Sequence, residues 1–149
     1  MTDKSVSSIH RGMTNELTKR VEERYLASVW GSGLAPVLAT PALVAFCEEC
    51  ARLAVDPLLP ASQQTVGTRI TLHHRAATPP GLEVRVRAVL EEIDGKRLRF
   101  RIEAWDDVEV ICEAEHERFI IDVQRFQQRV AEKASRVHAE TEHAGDSAL

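Results

Sequence analysis

The 149-residue chain is poor in cysteine: Cys47, Cys50 and Cys112 are the only three, each in an apolar setting. That is too few for a disulfide framework and fits a reducing compartment. An excess of basic residues is also missing, and a formal net charge of -4 argues against a nucleic-acid partner. The longest largely apolar stretch, Leu34 to Phe46, is too short to span a bilayer, and Met1 to Arg11 lacks the apolar core of a secretion leader. A cytoplasmic protein without a membrane segment is the expectation. Neither His73-His74 nor His116, His138 and His143 stand beside a carboxylate at ligand spacing, so no metal site is expected. Cys47-Glu48-Glu49-Cys50 is a C-x-x-C in form alone. It lies well inside a predicted helix, where the dipole cannot activate a thiol, and buried packing is its expected role.

What is present is one domain, placed at residues 12–137, between a disordered N-terminal segment (1–11) and a flexible tail (138–149). Its centre is the stretch Leu38 to Ala54. Thr40-Pro41 is a strong helix start, with Thr40 as the cap and Pro in the first turn, and Pro57 limits the far end. From Ala42 to Cys47 every residue is apolar, which predicts a helix wrapped by protein. Glu48 and Glu49 then stand on a greasy helix. Ahead of it, a strand is predicted over Thr14 to Val21 and a short helix over Glu22 to Trp30, with Tyr25, Val29 and Trp30 inward.

Beyond the Asp56–Gln64 loop the pattern changes to period two. Over Val66 to His74, the residues Val66, Thr68, Ile70, Leu72 and His74 share the core face, while Gly67, Arg69, Thr71 and His73 take the other. The turn Ala77 to Gly81 separates this strand from one with Leu82, Val84, Val86, Ala88 and Leu90 inward. Asp94-Gly95 signals a hairpin whose return places Leu98, Phe100, Ile102 and Ala104 inward. A further strand should bury Val108, Val110, Cys112 and Ala114. Arg97, Arg99 and Arg101 read as a solvated face answered by Glu109, Glu113 and Glu115. Asp122 caps a last helix with the stripe Val123, Phe126, Val130, Ala134 and Val137. The sum is an α+β chain: a curved antiparallel sheet wrapped around a central helix, plus a C-terminal helix, which is the hot-dog layout. An open sheet edge and an open helix flank predict a homodimer.

Several local motifs carry a resemblance over about Gly12 to Val130. They are Gly31-Ser32-Gly33, Val37 to Val44, Glu48-Glu49, Val66-Gly67-Thr68, His74 with Ala76 to Gly81, Asp94 to Leu98, and His116-Glu117-Arg118-Phe119. Together they resemble the fluoroacetyl-CoA thioesterase family of hot-dog proteins. The resemblance implies acyl-CoA thioester hydrolysis by a Thr, Glu and His set, with no cofactor besides the CoA thioester substrate. Position by position, these are Thr40, Glu48 rather than Glu49, and His74 rather than His73; Gly67 and Arg118 match further active-site positions. The aromatic lid residues of the fluoroacetyl-specific member are replaced by Gly31 and Leu34, with Leu34 a candidate contact to the acyl group.

The residue types suit this chemistry. Hydrolysis needs a base or nucleophile, a stabiliser for the oxyanion and a route for the proton. Glu48 can serve as base or nucleophile, His74 can hold or pass the proton, and the N–H groups near Thr40 or at Gly67 can face the oxyanion. Thr40 and Glu48 are eight residues apart, about 12 Å along a helix, so the expected site is assembled across two subunits. Plainer roles are a capping Thr40, a Glu48 or Glu49 paired with Arg52, a strand-end His74 and a structural Arg118. One competing function is a non-catalytic acyl-CoA-binding or regulatory domain; the other is a hot-dog hydratase acting on enoyl-CoA, which should place an Asp/His pair on a loop over the substrate, a pattern this sequence does not show.

Overall fold

The computed structural model describes residues 8–147, with side chains for residues 8–137. Its elements are β1 (Thr14–Arg20), a one-turn α1 (Ala27–Trp30), α2 (Thr40–Val55), β2 (Gln63–His74), β3 (Glu83–Asp94), β4 (Arg97–Trp105), β5 (Val110–Asp122) and α3 (Val123–Ser147). The five strands form one antiparallel sheet in the order β1-β3-β4-β5-β2, leaving β1 and β2 as its edges. The expected architecture is present, and no helix of the described residues is long and apolar enough to cross a membrane.

The sheet encloses α2 because its strands alternate cleanly. Val84, Val86, Ala88 and Leu90 of β3 and Leu98, Phe100, Ile102 and Ala104 of β4 are all fully buried. They close over Ala42, Leu43, Phe46, Cys47, Cys50 and Ala51 of the helix. Burial of this kind is the main stabilising term of the fold. Tyr25 meets Phe46 edge to face at 4.8 Å, and Asn15 Nδ2 donates to the Cys50 carbonyl at 3.0 Å, tying β1 to α2. The β3–β4 hairpin turns through Gly95-Lys96, one residue later than Asp94-Gly95, with Asp94 opposite Arg97 and Gly95 at φ +60°. That left-handed conformation is one glycine adopts without strain.

Three expectations need correction. The predicted Glu22–Trp30 helix is a 3-10 turn at Glu23–Tyr25 followed by α1, split because Leu26 bridges to Leu38. Tyr25 packs on the core, but Val29 and Trp30 are exposed, and the indole N–H donates to the Arg24 carbonyl. Val108 and Val110 are likewise exposed, because β5 starts only at Val110 and its register with β4 shifts between Ala104 and Trp105; Cys112 and Ala114 are buried as expected, joined by Ile111. Third, the arginine row is answered by other carboxylates: Arg97 pairs with Glu117, Arg99 with Glu92 and Arg101 with Glu91.

The two ends of the chain also have a defined form within the described range. Residues 1–7 of the expected N-terminal segment lie outside it, while Gly12 donates its N–H to the Leu90 carbonyl. Asp122 caps α3 as expected, accepting from the Arg125 N–H at 2.9 Å. The helix then passes Val137, where the tail was expected to begin, and reaches Ser147; from Gln124 to Val137 every residue is exposed, the apolar Phe126 and Val130 among them.

Candidate active site

The first cluster sits where α2 begins. Ala39, not Thr40, occupies the cap and, with only a methyl side chain, makes no cap bond; Thr40 is the first helical residue, and its Oγ1 lies 2.8 Å from His74 Nδ1. His74 comes from the end of β2, and burial pushes its pKa below the ordinary imidazole value. The other ring nitrogen, Nε2, is buried and has no hydrogen-bond partner among the described residues. The pair opens on a cleft of about 270 Å³ bordered by Ala27, Ser32, Val37 and Ala76. Leu34 does not line that cleft; it is 96% exposed.

The second cluster lies two helical turns along α2. Glu48 has a 42% exposed side chain, and its Oε2 is 3.9 Å from Arg118 Nη1. Arg52 pairs with neither helix carboxylate: Glu49 pairs instead with Lys19 at 3.0 Å. Arg118 is buried among donors and acceptors that leave it little freedom. Its Nε donates to Thr65 Oγ1 at 2.8 Å, its Nη2 to the Thr65 carbonyl at 3.0 Å, and its Nη1 to His116 Nε2 at 3.1 Å. Thr65 in turn donates its hydroxyl to Asp56. Burial lowers the Arg118 pKa, opposed by the Asp56 and Glu48 carboxylates.

Gly67 belongs to this cluster, contrary to the face assigned to it from alternation. The β2–β5 register pairs Gly67 with Arg118 and then Arg69 with Glu117, so Thr68 is an extra, unpaired residue. Such a bulge shifts side-chain phase by one. Thr65 and Gly67 therefore face α2 ahead of it, Ile70, Leu72 and His74 after it, and Thr68 turns outward to donate to Glu117 Oε2 at 2.6 Å. An added Cβ at Gly67 would lie 2.8 Å from Glu48 Oε2. The sequence alone assigns no site role to Thr65, to Asp56 or to His116, although His116 opens the motif His116-Glu117-Arg118-Phe119. For His116 a signal existed, since Cys112, Ala114, His116 and Arg118 share one phase of β5.

The cysteines are inert. All three are buried and free; Cys47 Sγ is 4.0 Å from Cys112 Sγ, and burial pushes the Cys50 thiol up to about 11.

Burial also lowers the His116 pKa. For both His74 and His116 the folded value lies under the unfolded one, so the unfolded chain binds the proton more readily. Their contribution to stability is complete above the unfolded value and is lost as pH falls from it towards the folded one. The melting temperature should therefore drop between about pH 7.5 and 5.5, and His116→Gln should flatten the decline. Thermal melts across that range check this; an equal slope in the variant would contradict it.

A five-stranded antiparallel sheet curved around one central helix defines the class: a hot-dog protein. A Thermus thermophilus protein described as a thioesterase superfamily member superposes with a TM-score of 0.83 at 25% identity, over 88% of this chain and 97% of that one. Residues 21–124 match the family model of fluoroacetyl-CoA-specific thioesterases, and the chain belongs to that family. The fluoroacetyl-CoA thioesterase of Streptantibioticus cattleyicolor is 36% identical over 115 residues, covering 77% of this chain and 83% of that one. A phenylalanine-to-alanine variant of the fluoroacetyl-CoA-specific thioesterase, solved in complex with fluoroacetate and CoA, has a TM-score of 0.74 at 31% identity, over 79% of this chain and 99% of that one.

Proposed function

We propose that this chain hydrolyses a short or small acyl-CoA thioester to the free acid and CoA, through Thr40, Glu48 and His74 in a site completed by a second copy of the chain. The observation that carries this reading is the Thr40–His74 contact at the mouth of a small cleft. Membership of a family named for acyl-CoA thioester hydrolysis supplies the substrate class.

In the reaction, oxygen from water bonds to the acyl carbon, the C–S bond breaks, and the CoA sulfur leaves as thiolate and takes up a proton. Glu48, half-exposed and beside a fixed cation, is the group that removes the water proton or attacks directly. His74, neutral at pH 7 and oriented by the Thr40 hydroxyl, places Nε2 where a thioester or its leaving sulfur would meet it.

Distance and exposure support the dimer. Thr40 and Glu48 are about 12 Å apart along α2, too far to serve one carbonyl. β2 is an open edge of the sheet, and the α2 flank with Val44, Ala45 and Glu48 is only partly covered. Antiparallel pairing of β2 with its own copy about a two-fold axis would set the Gly67 end of one strand near the His74 end of the other. Each of the two sites then takes Glu48 from one subunit and Thr40 with His74 from the other.

Free-thiol release from acetyl-, fluoroacetyl-, branched short-chain and phenylacetyl-CoA tests the activity. Co-refolding Thr40→Ala with Glu48→Gln tests the assembly, and about one quarter of native activity is expected, since half the dimers are mixed and each mixed dimer holds one intact site of two. A site contained within one subunit gives no recovery. Binding of an acyl-CoA without thiol release would identify a binding domain instead.

A further inference from the structure

His116 is the most enclosed histidine of the described residues, 2% exposed, with its ring centre 6.4 Å from that of Phe100. Its surroundings fix its protonation as well as its place. Nδ1 lies 2.8 Å from the Arg69 carbonyl, an acceptor, so Nδ1 carries the proton and donates. Nε2 is then a bare acceptor, and it takes the Arg118 Nη1 hydrogen at 3.1 Å. The carbonyl that sets this tautomer belongs to Arg69, where regular pairing resumes after the bulge. The backbone irregularity that turns Gly67 towards Glu48 thus also orients the ring beside it.

Three hydrogen bonds, two to Thr65 and one to His116, hold the guanidinium in one orientation. In that orientation Nη1 stands 3.9 Å from Glu48 Oε2, within ion-pair reach yet too far for a hydrogen bond. The Glu48 oxygens stay free for a proton or for an acyl carbon. Were Nε2 missing, Nη1 would have no acceptor in its buried setting except Glu48, and swinging towards it would turn the loose contact into a direct pair.

We infer that His116 is a positioning residue for thioester hydrolysis: as an Nδ1–H tautomer it anchors Arg118 so that the cation supports Glu48 without occupying it. The inference rests on the reading of Glu48 as the hydrolytic group. It assigns no contact between His116 and substrate.

The experiment compares His116→Leu, which keeps bulk and loses the acceptor, with His116→Gln, which can both donate and accept. Leu should lower kcat about 10- to 100-fold with an unchanged KM, and Gln should restore most of the loss. In a Glu48→Gln background His116→Leu should have no further effect, because both lesions act at one group. Nitrogen NMR of the ring should show Nδ1 protonated and Nε2 bare. Native kcat in His116→Leu, a Gln variant no better than Leu, an undiminished Leu effect in the Glu48→Gln background, or an Nε2–H tautomer would each overturn the inference while leaving the hydrolysis reading intact. A native chain releasing no thiol from any acyl-CoA would overturn both.

Discussion

Glu48→Gln should lower kcat for thioester hydrolysis by about 100- to 10,000-fold, the range associated with removing a positioned base or nucleophile. Glutamine keeps the length and shape of the side chain while removing its charge and its ability to take a proton. A fall in rate would then report chemistry and not packing. The substitution leaves Arg118 without its nearest carboxylate, but that guanidinium keeps its bonds to Thr65 and His116. Since the Glu48 side chain is 42% exposed, the melting temperature should move little, with stability within about 1 kcal/mol of native. Thiol-release assays beside thermal melts decide the matter, and a variant with near-native turnover would remove Glu48 from the mechanism.

The other large effect is expected from the smallest substitution available, Gly67→Ala. Its Cβ would lie 2.8 Å from Glu48 Oε2, 3.2 Å from His116 Cε1 and 3.4 Å from Arg118 Nη1. The last two are pinned by hydrogen bonds, whereas Glu48 ends a flexible side chain, so Glu48 yields. The expected outcome is a loss of about 100-fold in kcat, the scale of an ångström-sized misplacement of a reacting group. Stability should hardly change, since the clash is relieved by rotating a partly exposed carboxylate. Activity within a few-fold of native would mean that the carboxylate does not work from the place it occupies here.

How much of this was legible depended on whether local pattern and tertiary geometry agreed. They agreed over Val84 to Leu90 and Leu98 to Ala104, where strict alternation predicted every buried side chain. At Thr40 they parted: helix-start chemistry read it as the cap, whereas Ala39 holds that place and Thr40 meets His74, 34 positions on, at 2.8 Å; only the family resemblance had set the two together. Period-two counting failed at two register shifts: at Thr68, which put Gly67 on the wrong face, and after Ala104, which put Val108 and Val110 inside. No side-chain pattern marks an inserted backbone residue, because it is defined by the partner strand. The Thr65–Arg118–His116 linkage was hidden for the same reason: it joins two strands whose contact depends on that shift. At α1, propensity alone suggested a continuous helix, and the Leu26–Leu38 bridge interrupted it.

The unpaired Thr68 also bears on how this chain can change over generations. β2 is read in two frames, and the extra residue is the splice between them. Deleting Thr68 would restore an unbroken ladder with β5, yet one half of the strand would have to turn over. Either Thr65 and Gly67 would leave the helix, or His74 would leave Thr40. Substitutions can alter these side chains one at a time, but a single-codon deletion here removes half of the arrangement at once. Lineages that keep both ends of the strand in use are therefore expected to keep its length.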